Sequence, residues 1–222
     1  MATRRLAAEQ PATFAFSEHT MSLVNFWLGK YPAHRKASAV IPILWLIQKQ
    51  DGWVSEPAIR ATAELLEMPV IRVYEVATFY TMFMLEPVGS AALIQVCGTT
   101  PCRLRGAGEI MDVCKSKIGA KDHLSADGLF TWQEVECLGA CVNAPMAQIN
   151  DYYFEDLTPE SMGEIIDAFA RGEQPKPGSY AGRHSSEPAG GATTLTDERL
   201  YDGSAARPID RLPNLPEPEP VA

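Results

Sequence analysis

The chain has 222 residues, 46% of them hydrophobic, and a formal net charge of −9, which is enough apolar material for one or two domains with buried cores. The acidic balance argues against nucleic acid as a partner, because a phosphate-binding surface needs an excess of Lys and Arg. The longest uncharged apolar run, Ala37 to Ile47, has eleven residues and contains Pro42, well short of the roughly 20 that span a bilayer, so a soluble protein without direct membrane insertion is expected. Arg4 and Arg5 have no apolar stretch behind them, so no secretory signal is expected and the cysteines are expected to be reduced and available to a metal.

Residues 1 to 12 read as a frayed lead-in. A first helix is expected from Ser17 as N-cap to about Tyr31, with Phe16 and Met21 placed as a hydrophobic staple and Pro32 ending it. A second should cover Lys36 to Gln50, burying Val40, Ile41, Leu44 and Ile47, bending at Pro42 and stopping at Gly52. Ser55 is expected to cap a third helix that ends near Met68. Pro69 should open a fourth at its first position, with Val70, Val73, Tyr74 and Ala77 on one face.

The pattern changes after Pro87. Ala91 to Val96 is a nearly continuous apolar run that reads as a buried strand ending at Cys97. Ala107, Met111, Cys114 and Ile118 follow helical spacing, so a helix is expected from Arg103 to Ile118. Strands are expected at Phe130–Val135, Met146–Ile149 and Tyr152–Phe154, with turns at Asp127-Gly128 and Asn150-Asp151. A last helix should start at Thr158 as N-cap with Pro159 behind it, burying Met162, Ile165, Ile166 and Phe169. From Glu173 on, eight of the seventeen prolines fall in fifty residues that contain no Cys, Trp, Phe or Met. Such a segment buries too little apolar area to offset its ordering entropy and should be extended or disordered, so that removing it after about residue 178 leaves the domain folded.

All five cysteines lie between Cys97 and Cys141. Cys97 and Cys102 have four residues between them, Cys137 and Cys141 have three, and thirty-four separate the pairs. Both pairs sit where the chain turns, with Gly98 and Gly139 allowing close approach. Four thiolates with no ligand histidine suit soft iron or zinc. The spacing alone leaves both metals open and tilts toward iron and sulfur, because a four-residue gap also opens the plant-type ferredoxin pattern while structural zinc takes pairs two to four apart. A thioredoxin-like dithiol enzyme is disfavoured, since neither pair is C-x-x-C. Cys114 lies on an apolar helical stripe and reads as a buried structural thiol. His19, His34, His123 and His184 are scattered, and there is no glycine-rich nucleotide loop, so no other catalytic constellation is expected and the chain should not bind NADH or flavin by itself.

The run Cys97-Gly98-Thr99-Thr100-Pro101-Cys102, with Leu104-Arg105-Gly106 after it, and the pattern Asp127, Phe130-Thr131, Cys137-Leu138-Gly139, Cys141, Ala144-Pro145 together resemble the 24 kDa (NuoE-type) [2Fe-2S] subunit family of the proton-pumping NADH:quinone oxidoreductase, complex I. Residues 75–83 (EVATFYTMF) and the segments APMAQIN and YYFEDLT extend the likeness, which covers roughly residues 15 to 172. Arg103 departs from it, standing where members often carry Trp or Met.

The resemblance implies an α+β chain, an N-terminal helical bundle (1–88) followed by a thioredoxin-like α/β [2Fe-2S] ferredoxin domain (89–172); the proline-rich disordered or extended tail (173–222) matches no core feature of the family. It implies Cys97, Cys102, Cys137 and Cys141 as ligands of one [2Fe-2S] cluster, with FMN and NADH held in a partner subunit. The implied partners are the flavin/NADH-binding subunit and the large iron-sulfur subunit. The implied location is peripheral, on the cytoplasmic side of a bacterial inner membrane or the matrix side of a mitochondrial one. The small [2Fe-2S] subunit of an NAD-dependent formate dehydrogenase or hydrogenase is the alternative within this class, and a non-redox zinc-stabilised adaptor the alternative outside it.

Accepting an electron takes a four-thiolate [2Fe-2S] cluster from about −2 to about −3. Residues 91–172 carry twelve Asp and Glu against six Lys and Arg, a net of −6, with Glu134 and Glu136 beside a ligand. A low reduction potential is therefore expected, moderated by backbone N–H groups aimed at the sulfurs.

Overall fold

Ser17 ends an extended segment, and its hydroxyl oxygen accepts the Thr20 N–H at 3.0 Å, satisfying one of the donors that a helix leaves open at its start. The computed structural model describes residues 4–188, 190, 191, 193–200 and 202. The chain divides into two compact units, one ending at Pro87 and the other beginning at Val88.

In the first unit four helices enclose an apolar core: α1 (Glu18–Leu28), α2 (Val40–Asp51), α3 (Glu56–Leu66) and α4 (Val70–Phe79). The bend expected at Pro42 is absent. A 3-10 stretch, Ala33–Ala39, broken at Arg35, precedes α2, and Pro42 is only the third residue of the α-helix. An N–H there would have no intrahelical acceptor, so proline removes nothing. Ile43, not Ile41, completes the buried face with Val40, Leu44 and Ile47. Gly52, at φ 81°, stops the helix as expected.

Ser55 stands before α3 as expected, but its hydroxyl makes no capping bond and is buried without a partner. The cap comes from a distance: Gln10 Oε1 accepts the Glu56 N–H at 2.8 Å. The segment from Arg4 to Gln10 is therefore pinned rather than frayed. Ala7 N–H donates to the Leu85 carbonyl at 2.9 Å, and Arg4 Nη1 donates to that of Tyr80 at 2.8 Å. Pro69 directly precedes α4 instead of opening it. Val24, Leu44, Ile47, Ile59, Val73 and Phe83 meet in the core.

The second unit is a five-stranded sheet: β1 (Ala92–Cys97), β2 (Phe130–Val135), β3 (Ala147–Ile149), β4 (Tyr152–Glu155) and β5 (Gly178–Ser179), in the order β2-β1-β3-β4-β5. β1 runs parallel to β2 and antiparallel to β3, and β3 is antiparallel to β4. Between β1 and β2 lie α5 (Thr100–Leu104) and α6 (Ala107–Lys117). The single helix expected from Arg103 to Ile118 is split, because Gly106 takes φ 103°, a left-handed conformation that glycine adopts freely. α7 (Pro159–Ala170) starts with a reciprocal cap between Thr158 and Ser161. It packs Met162, Ile165, Ile166 and Phe169 with α6 residues Ile110 and Cys114 against Ile94 and Val96 of β1.

The first residues of the proline-rich tail, expected to be disordered or extended, are held against the sheet. β5 pairs in parallel with β4, the Tyr180 N–H donates to the Glu155 carbonyl at 2.9 Å, and Arg183 forms an ion pair with Asp156. Residues beyond 202 lie outside the described ones.

Gly89 is wedged against the start of β2. A methyl built on it would lie 2.3 Å from Phe130 Cα and 2.4 Å from the Leu129 carbonyl oxygen, and neither backbone atom can swing aside. Gly89→Ala should destabilise the second unit by about 1–3 kcal/mol, read as a lower midpoint in urea with an unchanged slope.

Candidate metal centre

Thirty-four residues separate the cysteine pairs, yet the sheet brings them to one place. β1 and β2 are adjacent and parallel, in a register that sets Cys97 opposite Val135, so both strands end at the same side of the sheet, where α/β folds commonly bind ligands. Cys97 is the last residue of β1, and Cys137 follows two residues after β2 ends. Cys102 lies inside α5, and Cys141 opens a 3-10 turn, Cys141–Asn143. Cys97 and Cys102 are buried, Cys141 is half-buried and Cys137 is exposed. Cys114 is buried in the core between helices, as expected of a structural thiol.

Cys97 Sγ lies 3.3 Å from Thr99 Oγ1, and the backbone N–H groups of Thr99, in the first loop, and Leu138, in the second, favour its thiolate. Met146 N–H supports Cys102 Sγ, and Cys137 Sγ lies 3.6 Å from Cys141 Sγ. Burial works to raise the Cys97 thiol, but these polar partners outweigh it and hold the group below its ordinary value. Cys102 goes the other way, pushed up to about 12 by burial, then by Cys97 and by the charges of Cys97 and Cys141. Cys141 is raised by its hydrogen bond to Cys137, then by desolvation and by the charges of Cys137 and Cys97.

Four thiols in one electrostatic neighbourhood cannot all ionise unless cations lie among them. Among the described residues no three His, Cys, Asp or Glu side chains are grouped so as to hold a metal ion; the sulfurs come as two pairs. That donor set, with backbone N–H groups directed at two of the sulfurs, fits a binuclear iron-sulfur cluster with two thiolates on each iron.

The charge expected of Glu134 is offset. Its Oε1 accepts from Arg103 Nη2 at 2.8 Å and its Oε2 from Lys121 Nζ at 3.3 Å. The carboxylate covers Gly98, where an added methyl would come within 2.5 Å of Oε1. Arg103 therefore has an electrostatic task beside the first loop, which its spacing in the sequence did not reveal. Other supports were also missed. Tyr153 Oη donates to the Leu138 carbonyl at 2.8 Å, and buried Asn143 donates through Nδ2 to Glu155 Oε2 and to the Ser185 carbonyl, each at 2.7 Å. Only Asn143, just after CLGAC, offered a local hint.

A family model described as thioredoxin-like [2Fe-2S] ferredoxin matches residues 24–170. The chain belongs to that family. A relative from Rhizobium meliloti (strain 1021), an E-type subunit of NADH-quinone oxidoreductase, is 52% identical over 200 residues, which cover 88% of this chain and 73% of the relative. Another E-type subunit of NADH-quinone oxidoreductase, from Rickettsia bellii (strain RML369-C), is 56% identical over 156 residues, 69% of this chain and 93% of its own length. Among solved structures, a chain of an NAD+-reducing [NiFe]-hydrogenase in the air-oxidized state aligns with a TM-score of 0.53 at 17% identity, over 60% of this chain and 23% of that one. This last likeness is one of fold. As a thioredoxin-like [2Fe-2S] ferredoxin, the chain carries one [2Fe-2S] cluster.

Replacing Glu134 by Gln removes one negative charge and leaves Arg103 and Lys121 uncompensated beside the first loop. Glu134→Gln should therefore raise the midpoint potential. Exposed pairs of this kind contribute about 1 kcal/mol or less, roughly tens of millivolts in a one-electron couple. An EPR-monitored redox titration of wild type and variant measures the shift.

Proposed function

We propose that Cys97, Cys102, Cys137 and Cys141 ligate the cluster, and that residues 89–172 form the domain that carries it, as the electron-transfer subunit of an NADH:quinone oxidoreductase, respiratory complex I. The observation that carries this reading is the parallel register of β1 on β2, because it sets Cys97 opposite Val135 and delivers both cysteine loops to the same end of the sheet. When bound, the cluster supplies one-electron chemistry and no proton or group transfer.

The chain's own residues do the rest. The backbone N–H groups of Thr99, Leu138 and Met146 favour the charged forms of Cys97 and Cys102, and dipoles so directed lower the electrostatic penalty of adding an electron. Arg103 and Lys121 offset Glu134, so the acidic surface bears less heavily on the first loop than its composition suggests. Exposed Leu104 and Val142, each one residue or two past a ligand cysteine, leave the site open to a protein neighbour. We assign that neighbour as the flavin- and NADH-binding subunit, with the large iron-sulfur subunit also in contact with the chain. None of the described helices is long and apolar enough to cross a membrane. This supports a peripheral position, which we place on the cytoplasmic face of a bacterial inner membrane or its mitochondrial matrix equivalent.

The relatives at 52% and 56% identity are named as subunits of NADH-quinone oxidoreductase, whereas the hydrogenase chain is only 17% identical, so the formate dehydrogenase or hydrogenase alternative is not favoured. A zinc-stabilised adaptor is disfavoured by membership of an iron-sulfur family.

The purified protein should show visible absorption that bleaches with dithionite. Cys137→Ala should lose that signal and the low-temperature EPR signal, whereas Cys114→Ala should retain both. Equal loss in the two variants, or a colourless protein with stoichiometric zinc, would overturn the ligand assignment.

A further inference from the structure

The turn that carries Cys141 has little apolar anchorage. Val142 is 62% exposed, and the Cys141–Asn143 segment belongs to no strand. Its polar fixings come from the end of β4 and from the tail: the Asp156 N–H donates to the Asn143 carbonyl at 2.8 Å, and Asn143 Nδ2 donates to Glu155 Oε2. Arg183 Nη2 donates to the Val142 carbonyl at 3.0 Å, and Asn143 Nδ2 reaches the Ser185 carbonyl.

Arg183 is itself held in place. Its Nε donates to Asp156 Oδ2 at 3.0 Å, its Nη2 pairs with Asp156 Oδ1, and its Nη1 donates to the Glu187 carbonyl at 3.0 Å. Ser179 Oγ adds a bond to Asp156 Oδ2 at 2.6 Å. The Arg183 and Asp156 side chains are only 12% and 10% exposed, less than those of the other described ion pairs of this unit, so this half-buried pair is held in a fixed geometry by its several hydrogen bonds. Burial opposes ionisation of Asp156, yet Arg183 and Ser179, with the more distant charge of Arg105, hold its carboxyl below the ordinary range. A guanidinium can bridge a carboxylate and two carbonyls at once because its donors form a rigid planar fork.

We propose that residues 178–187 form a latch, with Arg183 as its positioning residue, that fixes the turn bearing Cys141 and so sets how firmly the cluster is retained and what electronic environment it experiences. This inference rests on Cys141 being a ligand. The latch acts as an outer-shell support for a ligand, a kind of group whose loss typically costs 10- to 100-fold in metal retention.

The test uses the full chain in its native complex. Wild type must first show the bleachable absorption and the EPR signal; failure there sinks the ligand assignment and not the latch. With that established, Arg183→Ala and a stop after Pro177 should each release iron to bathophenanthroline about 10-fold faster and change the g-values of the reduced cluster. A stop after Pro188 and the distant surface variant Arg171→Ala should match wild type in both. Arg183→Lys retains the charge without the fork and should fall between. If Arg183→Ala does not accumulate, Arg183→Lys and the stop after Pro177 decide the question. Wild-type release rates and g-values in the variants, even with a lower melting temperature, overturn the latch, as does a stop after Pro188 that behaves like the stop after Pro177.

Discussion

The sheet of the second unit carries two cysteine pairs from distant parts of the chain to the same end of two neighbouring strands. Each thiolate repels the others, and two of the four are buried, so the site is electrostatically unfavourable until cations join it. The fold meets this by backbone geometry. Two parallel neighbouring strands end side by side, and short loops at those ends turn N–H groups onto the sulfurs. The two cysteine loops need no flexible search to meet, because the register of β1 on β2 has already delivered them.

Charge around the site follows the same economy. A count of acidic residues suggests a strongly negative surround, but Glu134 is held between Arg103 and Lys121. Lys121 lies thirteen residues before Glu134 and Arg103 thirty-one before it. Composition describes the net field at a distance, whereas the field at a loop depends on which side chains the fold sets in contact. The position of Arg103 is intelligible only once its carboxylate partner is seen.

Much of the architecture was legible because it rests on local signals. The apolar run before Cys97, the stripe from Met162 to Phe169, and the caps at Ser17 and Thr158 each concern residues within a turn or two of one another, and each appears as read. The misreadings share a cause. Whether Pro42 bends a helix depends on where that helix starts, and the 3-10 stretch before Val40 is settled by packing. Ser55 looks like a cap, but the N–H it would precede is satisfied by Gln10, forty-six residues away from Glu56. The apolar stripe that suggested one helix begins only at Ala107, and Gly106, left-handed in φ, separates α5 from α6 just before it. For the candidate site, the two cysteine pairs could be read directly, since each lies within a few residues of sequence. Their supports could not: Arg183 meets Asp156 across twenty-seven residues and Val142 across forty-one, in a segment whose composition reads as solvated.

The pairing of Gly178 and Ser179 with Phe154 and Glu155 also bears on solubility. A sheet margin with open N–H and C=O groups is a template for another chain, and short covering strands are one way that proteins close it. Here two residues cover the outer side of β4, next to the exposed rings of Tyr152 and Tyr153. During synthesis that part of the margin stays open to another chain until Ser179 has emerged to pair with it.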